Sequence, residues 1–326
     1  MADIKLTIVG TMGSGKTTYL AGMYYIMSSG LKGFTLSTDH DSDLNLERMW
    51  ETMMDASIGV SRFPPLSDQV KEYEFKLKYG YKEIMSFDWI DYPGGALKHS
   101  SNSEMYTKFM ENLKESACLL LCIDGNAFSS EVDDPSMYLK MQGARNYGQI
   151  INEFVDQNDC LPPVSIIITK YDLCTSNSTE IVDYIKDAFS PLFIEDGGKN
   201  FDKLVSIIPI TMGKNIASQS FRGELAPVNI HLPIAFAIWC TIASYISKLK
   251  LIISETQGTI DTRKKGIFNR IFGSGTTNEM VQFLETNNKI LAKLEEDSNR
   301  LLGELNKKKI PTFLNGTPID ISTFAF

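Results

Sequence analysis

The chain has 326 residues, 43 % hydrophobic and 22 % charged, with a formal net charge of −8. That length and apolar content suffice for a full α/β core plus an appendage, while the acidic balance excludes a broad nucleic-acid-binding surface. Five cysteines without a C-x-x-C pair and three scattered histidines argue against a disulfide framework or a structural zinc site, and suit a reducing, cytoplasmic setting.

At the N-terminus Asp3 and Lys5 interrupt what a secretory leader would keep apolar, so none is expected. Ile4-Lys5-Leu6-Thr7-Ile8-Val9 is a β-rich run. It leads into Gly10-Thr11-Met12-Gly13-Ser14-Gly15-Lys16-Thr17, a complete G-x-x-x-x-G-K-[ST], and Thr18 to Met27 continues as a helix. Strand, glycine-rich turn and helix start form the context in which backbone N–H groups and a positive helix end cradle phosphate. Gly10, Gly13, Ser14, Gly15 and Thr18 are predicted to line that cradle. Lys16 is predicted to reach the β- and γ-phosphates of a nucleotide, and the Thr17 hydroxyl to ligate Mg²⁺.

Next, Asp43 is placed to cap a helix whose apolar positions are Leu46, Met49, Trp50, Met53 and Met54, read as a packed insertion. Arg62-Phe63-Pro64-Pro65-Leu66-Ser67-Asp68 is a rigid extended loop. Tyr73 to Tyr79 alternates as a half-exposed strand, Gly80 turns, and Glu83 to Ile90 returns antiparallel. This strand ends in Asp91-Tyr92-Pro93-Gly94-Gly95. There a carboxylate suits a metal-bound water, and the Gly94 N–H suits a γ-phosphate.

Ala117 to Asp124 is a nearly continuous apolar run, the mark of a strand buried on both faces. Met137 to Asp156 reads as a covering helix. A second buried strand, Pro163 to Ile168, runs into Thr169-Lys170-Tyr171-Asp172. The Asp172 carboxylate is able to accept two hydrogen bonds from guanine N1–H and N2–H₂, a pattern adenine does not offer, with the Lys170 stem over the base. A helix over Glu180 to Phe189 and a strand over Leu204 to Ile210 follow, the strand leading to Thr211-Met212-Gly213-Lys214. A covering helix then runs from Pro233 to about Ile253. Its longest apolar run, Leu232 to Ile246, is short for a membrane span. The alternation predicts a three-layer α/β/α domain, its sheet mostly parallel with one antiparallel hairpin strand.

These motifs, in this order and on these elements, resemble the Ras-like P-loop GTPases over residues 1–255. The resemblance implies binding of GTP/GDP and Mg²⁺, and switch segments near Ser67 and Gly94. It implies metal ligation by Thr17 and Ser67 with Asp91 acting through water. It also implies base recognition by Thr169, Lys170 and Asp172, with the backbone near Thr211 and Met212 at the guanine carbonyl. More loosely, the Pro-Pro loop and the inserted helix look like bacterial GTPases of multi-component conflict-type systems. Thr169 stands where the family usually has Asn, and Ser67 where Thr is usual. Gly95 stands where many members carry a water-orienting Gln, so unaided hydrolysis is expected to be slow. Beside Lys16, Arg62 is the candidate for a catalytic arginine supplied in cis, its plainer reading being a solvated loop charge. An ATP-dependent enzyme on the same P-loop leaves Asp172 unexplained.

Residues 256–275 read as a linker in which Arg263-Lys264-Lys265 meets Ile267, Phe268, Ile271 and Phe272. It is either solvated or a contact patch for a partner or an anionic surface. Residues 276–326 read as a helical arm with an apolar tail. Thr276 to Glu279 forms a capping box; Met280, Leu284, Asn287, Leu291, Leu294, Ser298, Leu301 and Leu305 then make a heptad seam. A protein partner or self-association through 280–305 is the expected cover, with docking on the chain's own domain as the alternative. The tail from Ile310 to Phe326 is too apolar for a free end. The whole reads as a GTP-binding switch that hydrolyses slowly with Mg²⁺ and signals to a protein partner. The alternative is a GTP-loaded scaffold with negligible turnover.

Overall fold

The computed structural model describes residues 4–66, 69–94, 104–194, 201–214, 216, 219–265 and 275–323, with only the backbone for 262–265 and 275–278. In chain order the first half contains β1 (Ile4–Gly10), α1 (Lys16–Ser28), β2 (Phe34–Ser37), α2 (His40–Met54), β3 (Lys71–Tyr79), β4 (Lys82–Asp91), α3 (Glu104–Glu115) and β5 (Ser116–Asp124). The second contains α4 (Pro135–Leu139), α5 (Arg145–Asn158), β6 (Val164–Thr169), α6 (Ser178–Ala188), β7 (Leu204–Pro209), α7 (Leu232–Lys265), α8 (Gly275–Lys307), β8 (Thr312–Leu314) and β9 (Thr317–Pro318).

One sheet runs β2-β3-β4-β1-β5-β6-β7-β8-β9. Its centre, β4-β1-β5-β6-β7, is parallel throughout. Antiparallel strands flank both edges, because β2 and β8–β9 join the expected hairpin strand β3. The apolar run of β5 explains the layering. Leu120 and Cys122 face one core with Tyr19, Leu20 and Met23 of α1 and the start of α7. Leu119 and Leu121 face the other, with α3, α5 and α6. Two buried faces require apolar residues at every position, and that is what the run supplies.

Several sequence expectations are corrected. Asp39, not Asp43, caps α2, accepting hydrogen bonds from the Asp41 and Ser42 N–H groups. Asp43 instead accepts the Tyr24 hydroxyl at 2.5 Å. The covering helix over Met137 to Asp156 is interrupted at Gly143, between α4 and α5. Residues 256–265 are the last turns of α7 rather than linker. Leu232–Asp261, with mean hydropathy 1.5, is long and apolar enough to cross a membrane. In the fold its early residues Leu232, Ile234, Phe236 and Ile242 are core.

The C-terminal part of the α8 seam lies against the chain's own domain. Leu301 and Leu305 are 2 % and 0 % exposed and share one core with Ile238 and Trp239 of α7. A heptad pattern demands that an apolar edge be covered but does not say by what. Asn287 Nδ2 donates to the Phe283 carbonyl one turn back at 2.8 Å. A Lys250–Glu295 pair at 2.8 Å, a Lys32–Glu304 pair and the Arg300 guanidinium 4.2 Å over the Tyr79 ring hold the helix at its flanks.

The tail is docked as expected, but as sheet. Leu204 stands opposite Leu314 and Ser206 opposite Thr312, and Phe313 meets Phe193 edge-on at 5.5 Å. Asn315 (φ 50°) and Gly316 (φ 77°) make the two-residue turn into β9, a dipeptide favoured where both central residues need positive φ. A Cβ on Gly316 would lie 1.9 Å from the Phe193 carbonyl oxygen, so only glycine fits.

Candidate functional site

The C-terminal ends of β1, β4, β6 and β7 open on one cleft of about 320 Å³, where an open α/β sheet places its ligands. The fold brings Gly13, Gly15, Lys16, Thr17 and Thr18 to it from one side, and Thr169, Lys170, Asp172, Thr211 and Met212 from the other. Gly94 lines it as well.

Gly15 is the N-cap of α1 and offers no capping side chain, and no acidic residue stands in the first turn. The first N–H groups of the helix are therefore left for an anion. Ser14 is buried and turns its hydroxyl onto the Thr11 carbonyl at 2.7 Å, which tightens the loop. The Lys16 ammonium donates to the Gly10 and Thr11 carbonyls at 3.3 and 3.4 Å, folded along the loop it would leave for phosphate. Burial lowers its pKa, with Cys122 and Asp91 acting in the opposite sense.

Asp91 ends β4 at 1 % exposure. Burial raises its pKa to about 6, against the lowering influence of Lys16, Lys71 and the Thr17 hydroxyl. Thr17 is near enough to ease the charge, yet neither carboxylate oxygen has a well-formed hydrogen bond. Two orphaned buried oxygens beside a threonine hydroxyl fit a hydrated Mg²⁺, an oxygen-seeking cation that keeps several waters. Gly94 approaches the phosphate loop so closely that a Cβ there would sit 2.5 Å from the Met12 Cα. Ser67 and Gly95 lie outside the described residues.

On the base side the Thr169 hydroxyl lies 2.8 Å from the Ser14 carbonyl and 3.0 Å from the Ile123 carbonyl. Lys170 adopts φ 48° and donates to the Gly13 carbonyl at 2.9 Å and to Asp124 at 2.6 Å. The Thr211 hydroxyl donates to Asp172 Oδ1 at 2.8 Å, which steadies the carboxylate at the cleft mouth. The Met212 carbonyl accepts the Ala226 N–H at 2.8 Å, and its methyl end packs against Gly22. Asp124 went unread in the sequence; its place at the end of an apolar strand was the available signal. Phe63 and Leu66 of the Pro-Pro loop also line the cleft, with Val60 and Phe221, which no sequence pattern marks.

Arg62 is neither a solvated loop charge nor a cleft residue. It is 1 % exposed. Its Nε donates to the Met53 carbonyl, and its Nη1 to the Gly223 and Phe221 carbonyls at 2.7 and 3.1 Å. Those bonds hold the guanidinium behind the Pro-Pro loop, and it is not among the residues lining the cleft. The cis-arginine expectation is corrected accordingly.

Among solved structures, the signal recognition particle receptor SRb-GTP/SRX complex from Chaetomium thermophilum is similar at 13 % identity and TM-score 0.39, over 65 % of this chain and 91 % of that one. The Arl6 small GTPase from Trypanosoma brucei, with bound nucleotide analogue, is similar at 10 % identity and TM-score 0.37, over 72 % and 95 %. A bacterial selenocysteine-specific elongation factor is similar at 15 % identity and TM-score 0.32, over 67 % of this chain but 28 % of its own length. No curated protein matches the chain. The assignment therefore rests on the family match. Residues 4–196, more than half of the chain, match the family described as Double-GTPase 2. With its Gly10–Thr17 loop, buried Asp91 and Thr169–Asp172 loop gathered on one P-loop GTPase fold, this GTP-binding chain belongs to the Double-GTPase 2 family.

Proposed function

We propose that the chain is a guanine-nucleotide switch that binds GTP with Mg²⁺, hydrolyses it slowly and signals to a protein partner. The observation that carries this reading is the base loop. Asp172 is held by Thr211 at the cleft mouth, and the same loop is joined to the phosphate loop through Thr169 and Lys170. A carboxylate so held selects guanine, because an adenine edge would leave it unpaired. Lys16 and the first N–H groups of α1 bind and orient the phosphates, while Thr17 and Asp91 would hold the metal. Bound Mg²⁺ supplies charge neutralisation on the β- and γ-oxygens. Slow turnover is supported by Gly95 at the position of a water-orienting side chain and by the commitment of Arg62 to backbone carbonyls.

The test is single-turnover hydrolysis of GTP beside ATP, with and without Mg²⁺. A Mg²⁺-dependent rate on the order of 10⁻³ s⁻¹ with GTP alone fits the proposal. Equal binding of ATP and GTP would overturn it, and tight GTP binding with no measurable turnover would favour the scaffold reading.

A further inference from the structure

We propose that Arg62 is a positioning residue, a clasp that joins two loops over the base end of the cleft and thereby governs nucleotide dissociation. The proposal rests on the cleft being the nucleotide site and adds a device for holding it shut.

Three stretches of chain meet at this guanidinium. Met53 belongs to the last turn of α2, whose C-terminal carbonyls lack helical partners. Phe221 and Gly223 belong to the loop after β7, and Arg62 itself precedes the Pro-Pro loop. The bonds to all three carbonyls are charge-assisted, and the negative end of α2 favours a cation there. The guanidinium also lies 5.6 Å from the Phe63 ring centroid.

Both loops supply an apolar wall of the cleft. Val60, Phe63 and Leu66 come from the segment Arg62 belongs to, and Ile216 and Phe221 from the loop it holds. Phe63 and Phe221 meet edge-on at 6.1 Å. Behind them, Trp50 and Met53 of α2 pack with Met212 and Leu225. The clasped loop is rooted at the base-reading residues: Val228 N–H donates to the Thr211 carbonyl at 2.9 Å, and Ala226 N–H to that of Met212 at 2.8 Å. Thr211 in turn holds Asp172. Arg62 joins the two walls through its guanidinium, a polar link between segments that both line the cleft. Its removal strands three carbonyls and frees both walls together.

The experiment follows dissociation of a fluorescent GDP analogue from the full chain, chased with unlabelled GDP, alongside single-turnover GTP hydrolysis. Arg62→Ala should raise the dissociation rate on the order of tenfold or more, the loss expected when charge-assisted bonds are removed. That rise should exceed any fall in the hydrolysis rate. Arg62→Lys, which keeps the charge but not the fork, should fall between. Phe221→Ala should also speed dissociation, and in the double variant the two effects should combine to less than their product. Unchanged dissociation in a folded Arg62→Ala protein would overturn the proposal, as would independent effects in the double variant. Slowed hydrolysis with unaltered dissociation would return Arg62 to the phosphates. Should Arg62→Ala fail to fold by circular dichroism, Arg62→Lys decides: dissociation as slow as in the unsubstituted chain would overturn the proposal. Failure of the unsubstituted chain to bind the analogue would instead count against the nucleotide reading itself.

Discussion

The Thr169 hydroxyl touches the Ser14 carbonyl at 2.8 Å, so one buried side chain fastens the Thr169–Asp172 loop to the Gly10–Thr17 loop. Threonine is shorter than the asparagine usual at this place, and it reaches because the loops lie close: a Cβ on Gly15 would be 3.5 Å from that of Thr169. Thr169→Val keeps the shape and removes the hydroxyl, leaving buried carbonyls without their donor. A loss of about 1–3 kcal/mol is expected. GDP titration and thermal melts should both register it; identical behaviour in both would show that packing and the Lys170–Gly13 bond hold the loops together without it.

Asp172→Ala should weaken GTP by roughly 2–5 kcal/mol and leave ATP binding as weak as before. Thr211→Ala should give a smaller loss in the same direction, about 1 kcal/mol, because it only loosens the carboxylate. Competition titration with GTP, GDP and ATP measures both.

Asp91 gives a pH dependence whose sign is fixed by its burial. Its carboxyl has a folded pKa of about 6 against an ordinary 3.8. The native state therefore holds the proton to higher pH than the unfolded chain does. The stability this contributes is complete below pH 3.8 and is lost as pH rises through 6. The loss is up to about 3 kcal/mol in nucleotide-free protein. Asp91→Asn removes that charge, so it should raise the melting temperature at pH 7.5 and have little effect near pH 4. The same change should abolish the gain in GTP affinity that Mg²⁺ brings. Melts at the two pH values, with and without GTP and Mg²⁺, would separate the effects; destabilisation at pH 7.5 would contradict the assignment.

Lys16→Ala should remove measurable nucleotide binding or hydrolysis, since nothing else in the loop supplies a cation to the phosphates. Thr17→Asn should instead weaken the Mg²⁺-dependent GTP state most and spare GDP. Isothermal titration with and without Mg²⁺ distinguishes the two, and tight Mg²⁺-dependent GTP binding in both variants would mean the loop does not hold phosphate.

At the other end of the chain, Leu305→Ala should cost about 2–5 kcal/mol, the range for emptying a fully buried leucine site. Phe283→Ser, at a position 47 % exposed on the outer side of α8, should cost little. Urea melts compare them. Equal, small effects would mean that α8 does not pack on α7 in solution.

What the sequence made legible was whatever a short pattern on a known element settles. Gly10 to Thr17, Asp91 to Gly94 and Thr169 to Asp172 each lay at the end of an apolar strand, and the strand order carried them to one cleft. The seam of α8 is legible as an apolar face from its spacing, but an apolar edge names no partner. Arg62 could not be placed, since its three partners are backbone carbonyls that no residue type announces. The tail hairpin is legible as a turn, since Asn315-Gly316 between Thr312-Phe313-Leu314 and Thr317 is a strong two-residue turn signal. Its strands of three and two residues are too short to show an alternating pattern.

The antiparallel pairing of β8 with β7 ties the order of synthesis to the order of assembly. The stretch matched to the family ends at residue 196, yet β7 begins at Leu204 and its outer edge is met by residues 311–314. Until those residues have left the ribosome, β7 carries an open edge of unpaired N–H and C=O groups, and the face of α7 that Leu301 and Leu305 cover is bare. Nascent chains halted near residue 255 should therefore be prone to strand-to-strand association and to capture by chaperones. A fragment cut at the family boundary would lack β7 altogether and leave the outer edge of β6 open instead.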